Sequence, residues 1–535
     1  MKRNIFRIPL ATALVILAVL TGCKKSAFVE DNINPNTLYT VNPEDQFLAA
    51  TTGMEDDFEA YYDNYRRIMF WMQMSTDARG NRKNFTNDLS NFNQRYSKVF
   101  YGRVGPRLAD ISHLIAAMPE AEQAAYVYEQ NIAQILMVYY AFYVSDINGS
   151  IPYTEAFQAR YGGTLTPKYD SQDSLFALFD QQLKDAVTTL KTPQSITQNS
   201  YENNDQFFKG DETKWIKAAN ALRLRIAMRM TKVDLNRVKT IATDVLATPS
   251  DLMASNDDSW VLITIASGFG SGGNWSAAGL RAPKPSLNFM VTQSDPRLRL
   301  FYSKNRQGQY VGSYTNPDSV AAHAALYAKG DTAISPIQYR LFDATDVDLD
   351  DNAGSNSGQN FYPVLTYADQ CFIRAELAAR GLTTEDAADL YKKGITASIE
   401  FYNTRAGAAN IESYSAVTPA EITAYLAMPA IAYDPTKALD QIACQAYLDY
   451  YKNPNEAWAL YKRTGMPNTT TVLPLSLLTS DGTINTIPRR APLGLLEVNT
   501  INYENRKAAY DQMAADPGFG SDPNDAFGRV WWDRP

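Results

Sequence analysis

Apolar residues recur at spacings of three and four along most of the chain, the pattern of helices that bury one face. From Pro43 to about residue 75, Phe47, Met54, Phe58, Tyr61, Tyr62, Tyr65, Ile68, Met69 and Met72 predict one long helix with a kink at Gly53. The pattern resumes over 96–118, where Pro119 stops it, and again over 125–143, so these two segments predict an antiparallel hairpin. Helices are also expected over 171–190 and 211–230. In the second of these, Trp215, Ala218, Ala219, Leu222, Ile226 and Met230 face one way. Lys214, Lys217, Arg223, Arg225 and Arg229 lie mostly elsewhere and read as a solvated face.

Further along, a helix over 365–380 ends at Gly381, and Thr383 with Asp386 gives a capping-box-like start for another that reaches about residue 402. This pair fits within about 40 residues, the dimensions of a tetratricopeptide unit of about 34. A second hairpin spans 434–463, interrupted by Pro454 with Asn453 as a natural cap. No strict period recurs, and the tail from Ile487 has few periodic features. The expected class is all-α, with divergent tetratricopeptide-like helix pairs.

Two stretches break the helical pattern. Residues 77–93 are rich in Asn, Arg, Lys and Asp and are too polar for a core. Over 251–358 the pattern dissolves into short apolar runs, Gly clusters and Pro, with aromatic residues spread throughout. Long irregular insertions in a regular fold usually carry function, so this loop-rich stretch is the first place to look for ligand binding.

The N-terminus decides where the rest must work. Lys2, Arg3 and Arg7 precede an apolar run over 8–20 that is shorter than the roughly 20 residues of a spanning helix. Thr21, Gly22 and Cys23 follow, resembling the lipobox of bacterial lipoproteins, in which the Cys is acylated; an ordinary signal peptide with an incidental Cys is the plainer alternative. Several acyl chains on one Cys hold a soluble body stably at a membrane. The expected organisation is a signal peptide over 1–22, a lipidated stalk over 23–42 and a body over 43–535.

Composition narrows the function. With 50 Lys+Arg against 58 Asp+Glu, for a net charge of −8, the chain has no basic footprint for nucleic acid. Only two His, His113 and His323, are present, so His-dependent zinc sites and His-assisted nucleophiles lack their usual parts. Cys371 and Cys444 sit on apolar helix faces and read as buried thiols in preference to a disulfide. The 33 Tyr fit an aromatic helical core, or surfaces that stack on sugars.

Gly268, Gly270 and Gly273 satisfy GxGxxG, but Gly279, Pro283 and Pro285 occupy the place of the phosphate-binding helix, and the dinucleotide reading fails. Asp346, Asp348 and Asp350 alternate like the start of a calcium loop, whereas Asp351 and Ser357 stand where Gly and Glu belong. A looser calcium site is the alternative to a solvated acidic loop. No other cofactor is expected. Nothing singles out a carboxylate pair for glycoside hydrolysis, although two of 58 acids could converge.

The later segments resemble the SusD/RagB family of outer-membrane nutrient-binding lipoproteins of Bacteroidetes. The resemblance is carried by Tyr362-Pro363-Val364 through Ala375-Glu376 and Gly381, by Tyr391-Lys392-Lys393-Gly394-Ile395 and by Gln441-Ile442. It continues through Asn455-Glu456-Ala457-Trp458, Arg463-Thr464-Gly465, Ile487-Pro488-Arg489-Arg490, Asn502-Tyr503 and Trp531-Trp532-Asp533. Upstream, Asn148-Gly149-Ser150-Ile151-Pro152-Tyr153 and Asp295-Pro296-Arg297-Leu298 also match.

The resemblance implies a SusD-like fold that covers a SusC-like TonB-dependent transporter as a lid, captures a glycan and hands it over without chemistry. It implies outer-membrane residence through a lipid anchor, facing the cell exterior, although Lys24 and Lys25 stand where acidic residues often follow the lipidated Cys. Family members build their site from two regions. That implies Arg79, Asn81 and Phe85 of the polar loop with Asn274 and Trp275 of the Gly-rich loop, unless Trp275 simply packs beneath its own loop. The alternatives are the same lid role for a peptide or another nutrient, or a surface glycan hydrolase.

Overall fold

The computed structural model describes residues 41–54, 58–264, 279–328, 332–342, 345–346, 355–356, 358–494 and 497–535. The principal helices are α1 (Pro43–Thr51), α2 (Gly105–Ala117), α3 (Val127–Asn148), α4 (Gln172–Lys191), α5 (Glu212–Arg229), α6 (Leu235–Leu246), α7 (Tyr367–Ala379), α8 (Ala387–Ala408), α9 (Ala438–Asp449), α10 (Pro454–Thr464) and α11 (Tyr503–Ala514). Consecutive helices pack on one another from α3 through α6, and α7 packs against α8, α9 and α5. These are the divergent tetratricopeptide-like pairs. Helix α3 is buried on every side from Val138 to Asn148, so its apolar and polar positions alike face neighbours.

Several helices start where a side chain satisfies the orphan N–H groups of the first turn, each cap contributing about 1 kcal/mol. Asp211 accepts from Thr213 and Lys214 at α5, Thr366 accepts from Asp369 at α7, and Asp386 accepts from Ala388 and Asp389 at α8. Asp386 is thus itself the cap, and α8 begins later and runs further than its expected span. Asn453 caps nothing with its side chain; it donates instead to the Pro363 carbonyl.

The single helix expected from Pro43 is broken. Helix α1 ends at Thr51, where the Thr51 and Thr52 hydroxyls bond back to the Leu48 and Ala49 carbonyls, and a π-helical segment, Phe58–Ile68, takes up the pattern. A second π-helical segment, Arg95–Val104, leads into α2. Helix α11 has no counterpart in the sequence reading, because it buries only Ala509 and Tyr510 and shows no apolar stripe.

The expected solvated face of α5 is the largest correction. Arg223, Arg225 and Arg229 are buried at 3 % exposure. Arg223 donates to Asp180 and Asp244, Arg225 to Asp369 and the Val364 carbonyl, and Arg229 to Asp146 and Glu456, at 2.7–2.9 Å. Burying an unpaired guanidinium costs several kcal/mol, so these cations are tolerated only because α3, α4, α6, α7 and α10 bring acids to meet them. Burial alone would lower the affinity of Arg229 for its proton, but Asp146 and Glu456 outweigh it and raise it.

Within the loop-rich stretch, Trp260–Thr264 pairs antiparallel with Asn360–Leu365, every residue of which is buried, and a helix forms over Lys284–Thr292. Cys371 and Cys444 are free and buried. Cys444 donates to Asp440 and accepts from the Leu473 N–H, so the two thiols behave as core groups. Among the described residues no helix is long and apolar enough to cross a membrane.

Candidate functional site

A cleft of about 760 Å3 opens beside the polar loop that follows Met69–Trp71. Its lining includes Arg66 and Arg67 from the π-helical segment, Phe70, and Asp77, Asn81, Arg82, Lys83, Asn84, Phe85 and Asp88 from the loop. Gly279 and Leu280 also line it. A pocket of this size with a few convergent polar groups is the usual form of a small-molecule site.

The loop is held on several sides before any ligand arrives. Its first residues, Thr76–Asp77, pair antiparallel with Leu280–Arg281. The Asn81 amide donates to the Thr315 carbonyl at 2.9 Å, and the Trp71 indole donates to the Phe85 carbonyl at 3.2 Å. Ser480 donates to the Lys83 carbonyl at 2.7 Å, and Arg67 donates to Asp88 at 2.9 Å and to the Ser90 carbonyl at 3.0 Å. Gly80 turns the chain with φ +77°, and a Cβ there would lie 2.6 Å from Val320 Cγ2. Only glycine meets both demands. Fixing the loop in advance removes ordering costs that binding would otherwise meet.

The electrostatics favour hydrogen bonding over proton transfer. Burial would raise the Asp88 carboxyl, but the Ser90 hydroxyl and the Arg67 guanidinium outweigh it and hold it below the usual carboxylate range. A carboxylate so held accepts hydrogen bonds and is a poor general acid. Arg82, Lys83 and Asn84 are exposed and present donors at the rim, while Phe85, 8 % exposed, and the half-buried Phe70 give the wall an aromatic component.

Of the residues singled out from sequence, Asn81 and Phe85 lie in this lining. Asn81 is 4 % exposed and spends its amide N–H on Thr315, while its carbonyl oxygen has no hydrogen-bond partner among the described residues. Arg79 is exposed but outside the lining, its backbone N–H donating to Asp77. Asn274 and Trp275 lie outside the described residues, as does the GxGxxG run, and so does Cys23. Asp346 belongs to a short ladder, Thr345–Asp346 with Ser355–Asn356, and its side chain, with Asp348 and Asp350, is outside the described set. Among the described residues no cluster of three or more His, Cys, Asp or Glu could hold a metal.

Arg66, Arg67, Phe70, Arg82, Lys83, Asn84 and Asp88 were not singled out from sequence. Arg82, Lys83, Asn84 and Asp88 carried a usable signal, being in the same polar loop. Arg66 and Arg67 carried another, two adjacent cations within a Tyr-rich helical stripe.

Comparison with known proteins adds the family. No curated protein matches the chain. Among solved structures, a chitin-binding protein superposes with TM-score 0.70 at 24% identity, covering 92% of this chain and 100% of its own. A SusD homolog from Bacteroides fragilis gives 0.68 at 21% identity, covering 91% and 100%. A chitin-binding SusD homolog from Flavobacterium johnsoniae gives 0.65 at 20% identity, covering 92% and 98%. At these identities the likeness shows the fold. The sequence profile of a SusD-like family, described as starch-binding and associating with the outer membrane, matches residues 35–490. The chain belongs to this SusD-like family.

Proposed function

We propose that this protein is an outer-membrane lipoprotein, anchored through Cys23 and facing the cell exterior, that captures a glycan and delivers it to a SusC-like TonB-dependent transporter. The observation that carries the reading is the braced cleft beside the polar loop, where exposed Arg, Lys and Asn side chains ring a wall with aromatic components. Sugar rings offer an apolar face and a rim of hydroxyls, and such a cleft serves both. In this reading Trp275 supplies the stacking platform and Asn274 an adjacent hydrogen-bonding amide, in keeping with the place of Gly279 and Leu280, which follow them closely in the chain and line the cleft.

The role is binding without turnover. Retaining or inverting hydrolysis needs one carboxylic acid that stays protonated near neutral pH, and Asp88 is held in the opposite direction. Two of the similar structures are described as chitin-binding and the family as starch-binding, so oligosaccharides of these two polymers are the first ligands to try. Isothermal titration of Arg82→Ala and Asn84→Ala against the best of them tests the cleft. Each variant is expected to bind about tenfold more weakly with an unchanged melting temperature. Unchanged affinity in both would remove this cleft from the reading.

A further inference from the structure

A second cleft, of about 540 Å3, lies where four segments far apart in sequence converge: residues 92–97, 148–150, 169 and 492–510. Three phenols face it, from Tyr96, Tyr169 and Tyr510, and Arg506 is the single charged residue in its described lining. Tyr96 is hydrogen-bonded to Tyr169, and burial keeps the Tyr96 hydroxyl protonated. At one side Asn93 and Asn148 exchange amide hydrogen bonds at 2.7 and 3.1 Å.

Arg506 is built into place. Its Nε donates to the Tyr510 hydroxyl at 2.8 Å, and one Nη2 hydrogen goes to the Leu493 carbonyl, which Tyr510 also contacts at 2.6 Å. Gly494, with φ +76°, makes room for it: a Cβ there would lie 3.1 Å from the Arg506 Nη2. A guanidinium has five N–H donors, so three remain for a ligand. Asp170, next to the lining residue Tyr169, is not itself in the lining and accepts from the Tyr153 and Thr154 N–H groups and the Thr154 hydroxyl.

A fixed guanidinium with unspent donors suits a carboxylate, which it can grip with two parallel hydrogen bonds. Phenol faces and amides around it suit a sugar ring and its hydroxyls. We propose that this cleft is a second binding site, for an acidic saccharide whose carboxylate is held by Arg506. The inference does not depend on which glycan the first cleft takes.

Titration of the full chain in detergent with digalacturonate, against cellobiose as a neutral disaccharide and acetate as a bare anion, tests it. Digalacturonate is expected to bind saturably and at least about tenfold more tightly than either control, with the affinity falling as salt rises. Arg506→Gln is expected to lose about tenfold or more, and Tyr96→Phe, which keeps the ring and removes the hydroxyl, a smaller factor. Should Arg506→Gln fail to fold, Tyr96→Phe and the salt dependence decide together. Absence of saturable binding, equal affinity for cellobiose or acetate, or affinity unchanged by Arg506→Gln would overturn the proposal. So would loss of digalacturonate binding in Arg82→Ala with retention in Arg506→Gln, which would assign the ligand to the first cleft.

Discussion

Replacing Glu129 by Gln removes a titration that burial has moved into the physiological range. Glu129 sits in the first turn of α3 with 0 % exposure, and neither carboxylate oxygen has a hydrogen-bond partner among the described residues. Burial, with a smaller contribution from Glu44, pushes its carboxyl from 4.5 up to about 8. The positive end of the helix dipole favours the ionised form by about 2 kcal/mol at most, too little to reverse this. The folded protein therefore keeps a proton that the unfolded chain releases above 4.5, and stability falls as pH rises until Glu129 ionises in the fold near 8. At 1.36 kcal/mol per pKa unit, wild type loses about 3 to 4 kcal/mol from this group between about pH 5 and about pH 8. Glu129→Gln keeps the shape of the neutral acid without the titration. In urea denaturation at a series of pH values, the variant should gain about 3 to 4 kcal/mol on wild type across that interval, and the two should converge toward pH 5. Parallel profiles would refute the reasoning, since they would mean that Glu129 is ionised in the fold or reaches water.

Other buried groups give further expectations. Arg229→Met leaves Asp146 without its guanidinium partner and Glu456 with only the 3.7 Å approach of Arg225, and should cost about 3 to 5 kcal/mol in urea denaturation; a loss within about 0.5 kcal/mol would mean that the network is spread over many pairs. Lys462 lies over the Trp458 and Trp532 rings at 4.0 and 4.7 Å, its ammonium has no hydrogen-bond partner among the described residues, and burial lowers its pKa from 10.5 to about 8. A base lowered in the fold destabilises below the folded value and ceases to do so above the unfolded one. Wild-type stability should therefore gain about 3 kcal/mol from this group between about pH 8 and about pH 10.5, and Lys462→Met should lack that gain in the same denaturation series.

Periodicity found α4 because that helix buries one face, with Leu175, Phe176, Phe179, Leu183, Val187 and Leu190 inside, and it misled where burial is not one-sided. The α5 cations looked solvated since spacing on one helix says nothing of the acids on five others; Arg225 and Arg229 are one turn apart and face Asp369, Asp146 and Glu456 from separate segments. Helix α11 was missed for the converse reason: it lies on the surface with only Ala509 and Tyr510 buried. Polarity marked the loop over 77–93 as surface, while the absence of a helical pattern pointed first to 251–358; the family resemblance added Arg79, Asn81 and Phe85, of which Asn81 and Phe85 lie in the first cleft's lining. Arg66 and Arg67 join them only through the turn after Trp71, a tertiary event. The second cleft had no signal at all, since Tyr96, Tyr169 and Arg506 are scattered over more than 400 positions and converge only in the fold.

The central claim is capture of a glycan without chemistry. Isothermal titration of the full chain against starch and chitin oligosaccharides and other polysaccharides, with peptides alongside and product analysis on the same samples, tests it most directly. The account predicts saturable binding of at least one glycan, with the ligand recovered intact. Binding of peptides alone, or shortened glycans in the recovered samples, would contradict it.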